Sequence, residues 1–196
     1  MKALISRIDH VSIAVRNYEK AEHFFQVILG AIPGASSRDA AMKYFWQLFS
    51  LGDLSRLEII TPTAEGSFLD NFLSQRAGGV HHITLQTRNI EETRELLDRH
   101  GIPYFGYREY TGVLWKELFI HPRDAFGVLI QISEFHPNDW LSDAVKPTGD
   151  QHWVIKKSDE GVHLDWSHPG GGTVGIDLNR EEAQKLIEDL QRTLDH

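Results

Sequence analysis

His10-Val11-Ser12-Ile13-Ala14-Val15-Arg16-Asn17-Tyr18-Glu19 opens the first half of the chain. His82-Ile83-Thr84-Leu85-Gln86-Thr87-Arg88-Asn89-Ile90-Glu91 opens the second on the same plan. Each is a half-apolar strand that begins at a histidine and ends at Arg-Asn, followed by a helix that stops at a glycine, Gly30 or Gly101. The echo continues downstream. Glu58, in Leu57-Glu58-Ile59-Ile60, follows His10 at nearly the distance at which Gln131, in Ile130-Gln131-Ile132, follows His82. A repeat with a histidine at its start and a metal-capable side chain near its end supplies two of each, related by an approximate twofold axis.

Working outward, the first strand is expected over residues 8–15 and its helix over 18–29, with Asn17 as N-cap and Gly30 just past the end. Ala21, Phe24, Phe25, Ile28 and Leu29 share one helical face, which the periodicity predicts to be buried. Strands follow near 43–51 and 55–61, around a turn at Gly52-Asp53, with a short extra strand near 36–39. A short connecting helix is expected over 68–75. The second module repeats the plan: a strand over 80–87, a helix over 90–100 with Asn89 and Glu92 spaced as a capping box, and strands near 104–110, 114–120 and 128–133. The fold class is α+β: paired βαβββ modules, about 5–62 and 78–135, forming one cupped mixed sheet within a domain over 1–135. Residues 136–196 read as a C-terminal ββ(β)α extension, broken by Pro137, Pro147 and Gly149. Its strands are expected near 153–157, 162–166 and 174–178. Its helix, over 180–194, is capped by Asn179 and Glu182, and an apolar stripe at Ala183, Leu186, Ile187 and Leu190 must be covered by the protein itself or by a second chain in a homodimer.

Side chains alternate across a strand, so parity sorts them by face. His10 and Ser12 lie opposite Val11 and Ile13; His82 and Thr84 lie opposite Ile83 and Leu85; Glu58 and Gln131 each lie opposite flanking apolar residues. All four candidates therefore face away from the helix-packed side, into the cup. His81, with the opposite parity, reads as a core or edge histidine. Imidazole and carboxylate suit Zn, Ni, Co, Mn or Fe, and a glutamine carbonyl completes the shell as a neutral ligand. The expectation is one divalent ion per chain at His10, Glu58, His82 and Gln131.

The bulk numbers narrow the function classes. At 196 residues the chain holds one ordinary domain and an extension. A net charge of −8 argues against nucleic acid as partner. No apolar run is long enough for a membrane span and no signal-peptide core stands at the N-terminus, so a cytoplasmic protein is expected. With Cys 0, disulfides, thiolate ligands and a cysteine nucleophile are excluded. Gly170-Gly171-Gly172 lacks the Lys-Ser/Thr of a phosphate loop and reads as a hairpin turn. His163, His168 and Asp165 read as strand-end residues.

Ile8-Asp9-His10-Val11-Ser12-Ile13-Ala14-Val15, Leu57-Glu58-Ile59-Ile60-Thr61-Pro62 and Gly78-Gly79-Val80-His81-His82-Ile83 together resemble the vicinal oxygen chelate superfamily. Phe119-Ile120-His121-Pro122-Arg123-Asp124 and Gly127-Val128-Leu129-Ile130-Gln131 narrow the resemblance to its methylmalonyl-CoA epimerase branch, close to glyoxalase I. The resemblance covers about residues 5–135. It implies a cupped sheet around a divalent metal, with the family's ligand positions falling on His10, Glu58, His82 and Gln131. Three departures stand out. The family's last ligand is usually Glu, which in the epimerases also serves as a base. The second acidic base has no clear match, Asp39 being the nearest carboxylate. The stretch Tyr110 to Glu117 is bulky where the epimerases are glycine-rich. The implied activity is an isomerase or glyoxalase-type lyase moving a proton beside the carbonyl of a small acid, thioester or hydroxyketone, with Glu58 as the catalytic carboxylate. The substrate-binding residues are not assigned. An Fe(II) ring-cleaving dioxygenase and a non-catalytic small-molecule binder are the alternatives.

Overall fold

The structure, a computed structural model, describes residues 4–52, 55–146, 152–167 and 173–195. Asp53, Pro147, Gly149, His168 and Gly170-Gly171-Gly172 lie outside the described residues. The chain divides into two compact units, Met1–Ser142 and Asp143–His196.

The first unit is one eight-stranded mixed sheet. In chain order its elements are β1 (Ile5–Val15), α1 (Tyr18–Glu22), β2 (Ile32–Asp39), β3 (Tyr44–Ser50), β4 (Arg56–Pro62) and α2 (Leu69–Leu73). These are followed by β5 (Gly78–Thr87), α3 (Ile90–Arg99), β6 (Phe105–Glu109), β7 (Trp115–Ile120) and β8 (Ile130–Phe135). The strand order is β2-β3-β4-β1-β5-β8-β7-β6. β1 pairs β4 in parallel, β5 pairs β8 in parallel, and β1 and β5 run antiparallel at the centre. The sheet is therefore two βαβββ modules joined back to back about a local twofold. The strand near residues 36–39 is longer than its sequence suggests, reaching back to Ile32.

Apolar burial sets the layers. Ile90, Leu118, Ile120 and Ile132 form one core under α3, joined by Leu85 and Leu97. Ala31, Phe49 and Ile59 form its counterpart in the first module, with Val15, Tyr18, Ala21 and Phe25 packed on it. A third cluster, Ala14, Ile60, Leu69 and Leu73, lies on the face of β1 and β4 shared by His10 and Glu58, and seats α2 there.

Helix ends follow the local chemistry with one exception. Asn17 accepts from Lys20 N and Asn89 from Glu91 N and Glu92 N. Gly30 and Gly101 adopt φ of +73° and +64°, the left-handed conformation that ends a helix at low cost. At Asn89 the reciprocal half of the capping box is absent: the Asn89 N–H goes to Thr87 Oγ1 at 3.3 Å, and the carboxylate of Glu134 takes the next N–H, that of Ile90, at 2.8 Å.

The first helix corrects the periodicity reading. After Glu22 it widens into a π-helical segment, His23–Ile28, closed by Leu29 N–H to Phe24 O at 3.1 Å. A π turn takes more residues than an α turn, so the 3.6-residue stripe is rotated off the core. Phe25 and Ala21 stay against it, while Phe24, Ile28 and Leu29 are 47%, 61% and 57% exposed.

The second unit is a three-stranded antiparallel meander, β9 (Trp153–Lys157), β10 (Gly161–Ser167) and β11 (Thr173–Asn179), followed by α4 (Arg180–Leu194). Register aligns Ile155, Leu164 and Ile176 in one row, with Leu164 buried. Asn179 and Glu182 make the full capping box of α4. Among the described residues no helix is long and apolar enough to cross a membrane.

Leu118 is fully buried between α3 and its sheet. Leu118→Ala leaves a cavity and is expected to cost about 2–5 kcal/mol. Urea unfolding should show a lower midpoint at unchanged slope; an unchanged midpoint would remove Leu118 from the core.

Candidate metal centre

The four sequence candidates stand on the four central strands: Glu58 on β4, His10 on β1, His82 on β5 and Gln131 on β8. Strand register brings them together. Ser12 lies opposite Glu58 in the parallel β1–β4 pair, and Thr84 lies opposite Gln131 in the parallel β5–β8 pair. Each hydroxyl holds its partner: Ser12 Oγ donates to Glu58 Oε2 at 2.6 Å, and Thr84 Oγ1 donates to Gln131 Oε1 at 2.5 Å. The antiparallel seam sets Ser12 opposite His82 and His10 opposite Thr84, so the two histidines meet diagonally across it.

One donor atom each from His10, Glu58 and His82 lie within 4.8 Å of one another. His82 Nε2 is 3.6 Å and His10 Nε2 is 3.8 Å from Glu58 Oε2. Thr84 Oγ1, 2.8 Å from His10 Nε2, stands between that nitrogen and Gln131 Oε1. All four side chains are nearly buried; the Glu58 carboxylate keeps 13% exposure.

Both imidazoles are held through Nδ1, which leaves Nε2 toward the cluster. His10 Nδ1 donates to Asp9 Oδ2 at 2.7 Å, and its Nε2, 2.8 Å from Thr84 Oγ1, is the edge of the ring turned to the cluster. His82 Nδ1 pairs with His81 Nδ1 at 2.9 Å; one proton joins the two rings, and on His82 it leaves Nε2 free as a ligand. Burial, with His10 and His81 close by, pushes His82 well below the usual histidine range, and burial alone lowers His81 to about 4. Neutral imidazole is the form a metal requires.

Electrostatics single out two further carboxylates. Asp9 is almost wholly buried, and burial by itself would raise its pKa. The hydrogen bond from His10 and the charges of Arg56 and Arg7 outweigh that and hold it at about 2. Both guanidiniums bond Asp9 Oδ1 through Nη2. Glu117, on β7, is 8% exposed and accepts from Gln131 Nε2, Trp115 Nε1 and Tyr110 Oη. Burial foremost raises Glu58, helped by Glu117 and Asp9 and opposed by His10 and the Ser12 hydroxyl.

The cluster is reached from a cavity of about 520 Å³ onto which His82, Gln131, Glu117 and Asp39 open, with Phe105 and Phe119 stacked in its wall. This concave, mostly apolar space with convergent polar groups is suited to a small molecule.

Sequence parity misplaces His81. The register skips between Ser12–His82 and Ile13–Val80, so a bulge at His81 breaks the alternation. His81 packs against Phe68 and Phe72 and lines the cavity. Asp9 and Glu117 went unassigned. Their sequence signals are a charge beside His10 within an apolar strand, and the parity of Glu117 with Phe119, the residue opposite Gln131. In the second unit His163 is bridged by Asp177 at 2.7 Å and Asp165 at 3.1 Å, a surface ion-pair arrangement.

Known proteins match this architecture. Residues 9–119 fit the model of the Glyoxalase/Bleomycin resistance protein/Dioxygenase superfamily. The chain is 33% identical over 134 residues to the ethylmalonyl-CoA/methylmalonyl-CoA epimerase of Cereibacter sphaeroides, covering 67% of this chain and 99% of that one. It is 30% identical over 132 residues to the mitochondrial methylmalonyl-CoA epimerase of Homo sapiens, covering 66% of this chain and 74% of that one. The crystal structure of methylmalonyl-CoA epimerase from Mycobacterium tuberculosis superposes with a TM-score of 0.63 at 26% identity, over 70% of this chain and 93% of that one.

Asp9 is testable apart from any metal. Asp9→Asn leaves the buried Arg56 without its carboxylate and should cost about 3–5 kcal/mol. In the wild type, Asp9 has a depressed folded pKa, so its stabilisation is complete above the ordinary carboxylate value of about 4. It is lost as pH falls toward 2. Urea midpoints measured from pH 6 to pH 2 should therefore fall less steeply for D9N. Equal stability of the two proteins at pH 6 would refute the role.

Proposed function

The chain belongs to the glyoxalase/bleomycin resistance protein/dioxygenase superfamily, and we propose that within it the protein is a metal-dependent enzyme moving a proton on the carbon beside the carbonyl of a CoA thioester. The observation that carries this reading is the convergence of His10, Glu58 and His82 beside an apolar-walled cavity, in a chain whose relatives are named as acyl-CoA epimerases.

Two imidazoles, a carboxylate and an amide oxygen fit Zn, Ni, Co, Mn or Fe in the divalent state. His10 Nε2, His82 Nε2, a Glu58 oxygen and Gln131 Oε1 are the atoms that would hold it. When bound, such an ion supplies positive charge that polarises a carbonyl and so acidifies the neighbouring C–H.

The side chains do the rest. Glu58 is the carboxylate of the cluster, and burial raises its hold on a proton toward the range a general base and acid needs. Inversion at a carbon requires proton removal on one face and return on the other. The reading assigns removal to Glu58 and return to Asp39, which lines the cavity beside the cluster and whose Oδ1 is anchored by the Met42 N–H at 2.8 Å. Phe105, Phe119 and Tyr44 wall the cavity and limit water around the reacting carbon.

Untagged protein should contain close to one divalent ion per chain, and His10→Ala or His82→Ala should lose most of it. Metal-loaded protein should exchange the α-hydrogen of ethylmalonyl-CoA or methylmalonyl-CoA in D₂O. Glu58→Gln is expected to slow that exchange by about 10²–10⁴-fold. Asp39→Asn should keep exchange on one stereoisomer and lose inversion. Absence of metal-dependent exchange across a panel of acyl-CoAs would sink the reading, and oxygen uptake on a catechol would replace it with ring cleavage.

A further inference from the structure

We propose that Glu117 is a positioning residue that locks the Gln131 amide with its carbonyl turned into the cluster, making Gln131 an oxygen ligand; the inference rests on the metal reading above. An amide has two unlike ends: Nε2 carries two donors and Oε1 only lone pairs. At Gln131 both ends are keyed. Nε2 donates to Glu117 Oε2 at 2.7 Å, and Oε1 accepts from Thr84 Oγ1 at 2.5 Å. A flipped amide would set its oxygen against the Glu117 carboxylate, two acceptors facing at hydrogen-bond distance. The cluster would then meet an NH₂ group, which cannot bind a cation.

Glu117 is itself held rigidly enough to impose this. Its Oε1 accepts from Tyr110 Oη at 2.8 Å, and its Oε2 accepts from Trp115 Nε1 at 2.8 Å as well as from Gln131. The register explains the reach: Phe119 is opposite Gln131 and Glu117 opposite Ser133, so Glu117 meets Gln131 diagonally from the neighbouring strand. All three partners are neutral donors. A buried carboxylate satisfied only by hydrogen bonds is costly, which argues for a role beyond packing. The Thr84 hydroxyl shows where the locked carbonyl points, since its other neighbour is His10 Nε2 at 2.8 Å.

Orientation and charge can be separated by substitution. Glu117→Gln removes the charge, yet its carbonyl can take the Oε2 place, accepting from Gln131 and Trp115 while its NH₂ donates to Tyr110 Oη. Glu117→Asp keeps the charge and withdraws the acceptor by about 1.5 Å, the length of one C–C bond. Cobalt(II) titration of the full-length protein, followed by calorimetry and by the visible absorption of the ion, reads both.

E117Q should bind cobalt within about 3-fold of wild type, whereas E117D should bind about 10–100-fold more weakly, the usual cost of losing a partner behind a ligand. In a Gln131→Ala background, E117D should change the affinity no further. Melting curves of the metal-free proteins check that each variant is folded. Wild-type affinity in E117D, equal losses in E117Q and E117D, or an undiminished E117D effect in the Gln131→Ala background would overturn the positioning role while the metal reading stands. A wild type that takes up no cobalt would overturn the metal reading, and this inference with it.

Discussion

Across the seam between β1 and β5, Val11 faces Ile83 and Ser12 faces His82 in antiparallel register, and on that pairing the rest of the site depends. Each seam strand also pairs in parallel with the strand that carries the second donor of its own module. Ser12 therefore sits beside Glu58 and Thr84 beside Gln131. The two hydroxyls occupy twofold-related places and do the same work, each donating to an oxygen of its neighbour. A slip of one residue in the seam would turn His10 or His82 to the helix-packed face and dismantle the cluster. The apolar cores under α1 and α3 oppose such a slip, because the same shift would expose the residues they bury.

Beneath the cluster lies a less symmetric device. Asp9, between Arg7 and Arg56, is a buried anion shared by two cations and by His10 Nδ1. Desolvating three charges is expensive and is recovered only when all partners are present with good geometry. Among the described residues nothing equivalent serves His82, whose Nδ1 meets the neutral ring of His81. The two imidazoles are thus held differently: a carboxylate stands behind Nδ1 of His10 and a neutral ring behind Nδ1 of His82, whose pKa burial lowers.

Alternation made much of this legible in the sequence. The parity of His10, Glu58, His82 and Gln131 follows from the period of two along each strand, although the β1–β5 pairing breaks register just before His10 and at His81. It held at those four residues and failed at His81, where a bulge consumes a residue. The helical period failed in the same way at Phe24, Ile28 and Leu29, because the π segment has a different period. In the second unit the strands and the capped helix were readable from local pattern. Parity states which face a side chain takes and not which neighbour it meets. Glu117 could be placed on a face from sequence, but Asp9 stands at a register break between Ile8 and His10, and the partners of both depend on how adjacent strands are staggered.

That stagger also explains how the two modules diverge. In the first, the acid is the donor, with Glu58 directly facing His10 and His82. In the second, the donor position holds Gln131 and the acid stands one strand further out, as Glu117 on β7. Among the described residues Glu58 is the carboxylate that joins the two histidines, and Glu117 acts on the cluster through an amide. A glutamate in place of Gln131, which the family resemblance in the sequence implies, would face Glu117 across 2.7 Å. Two like charges at that separation cannot both stay ionised at neutral pH. Gln131 and Glu117 are thus best understood as one unit whose members constrain each other, and the bulky stretch from Tyr110 to Trp115 provides the two side chains that hold Glu117 in it.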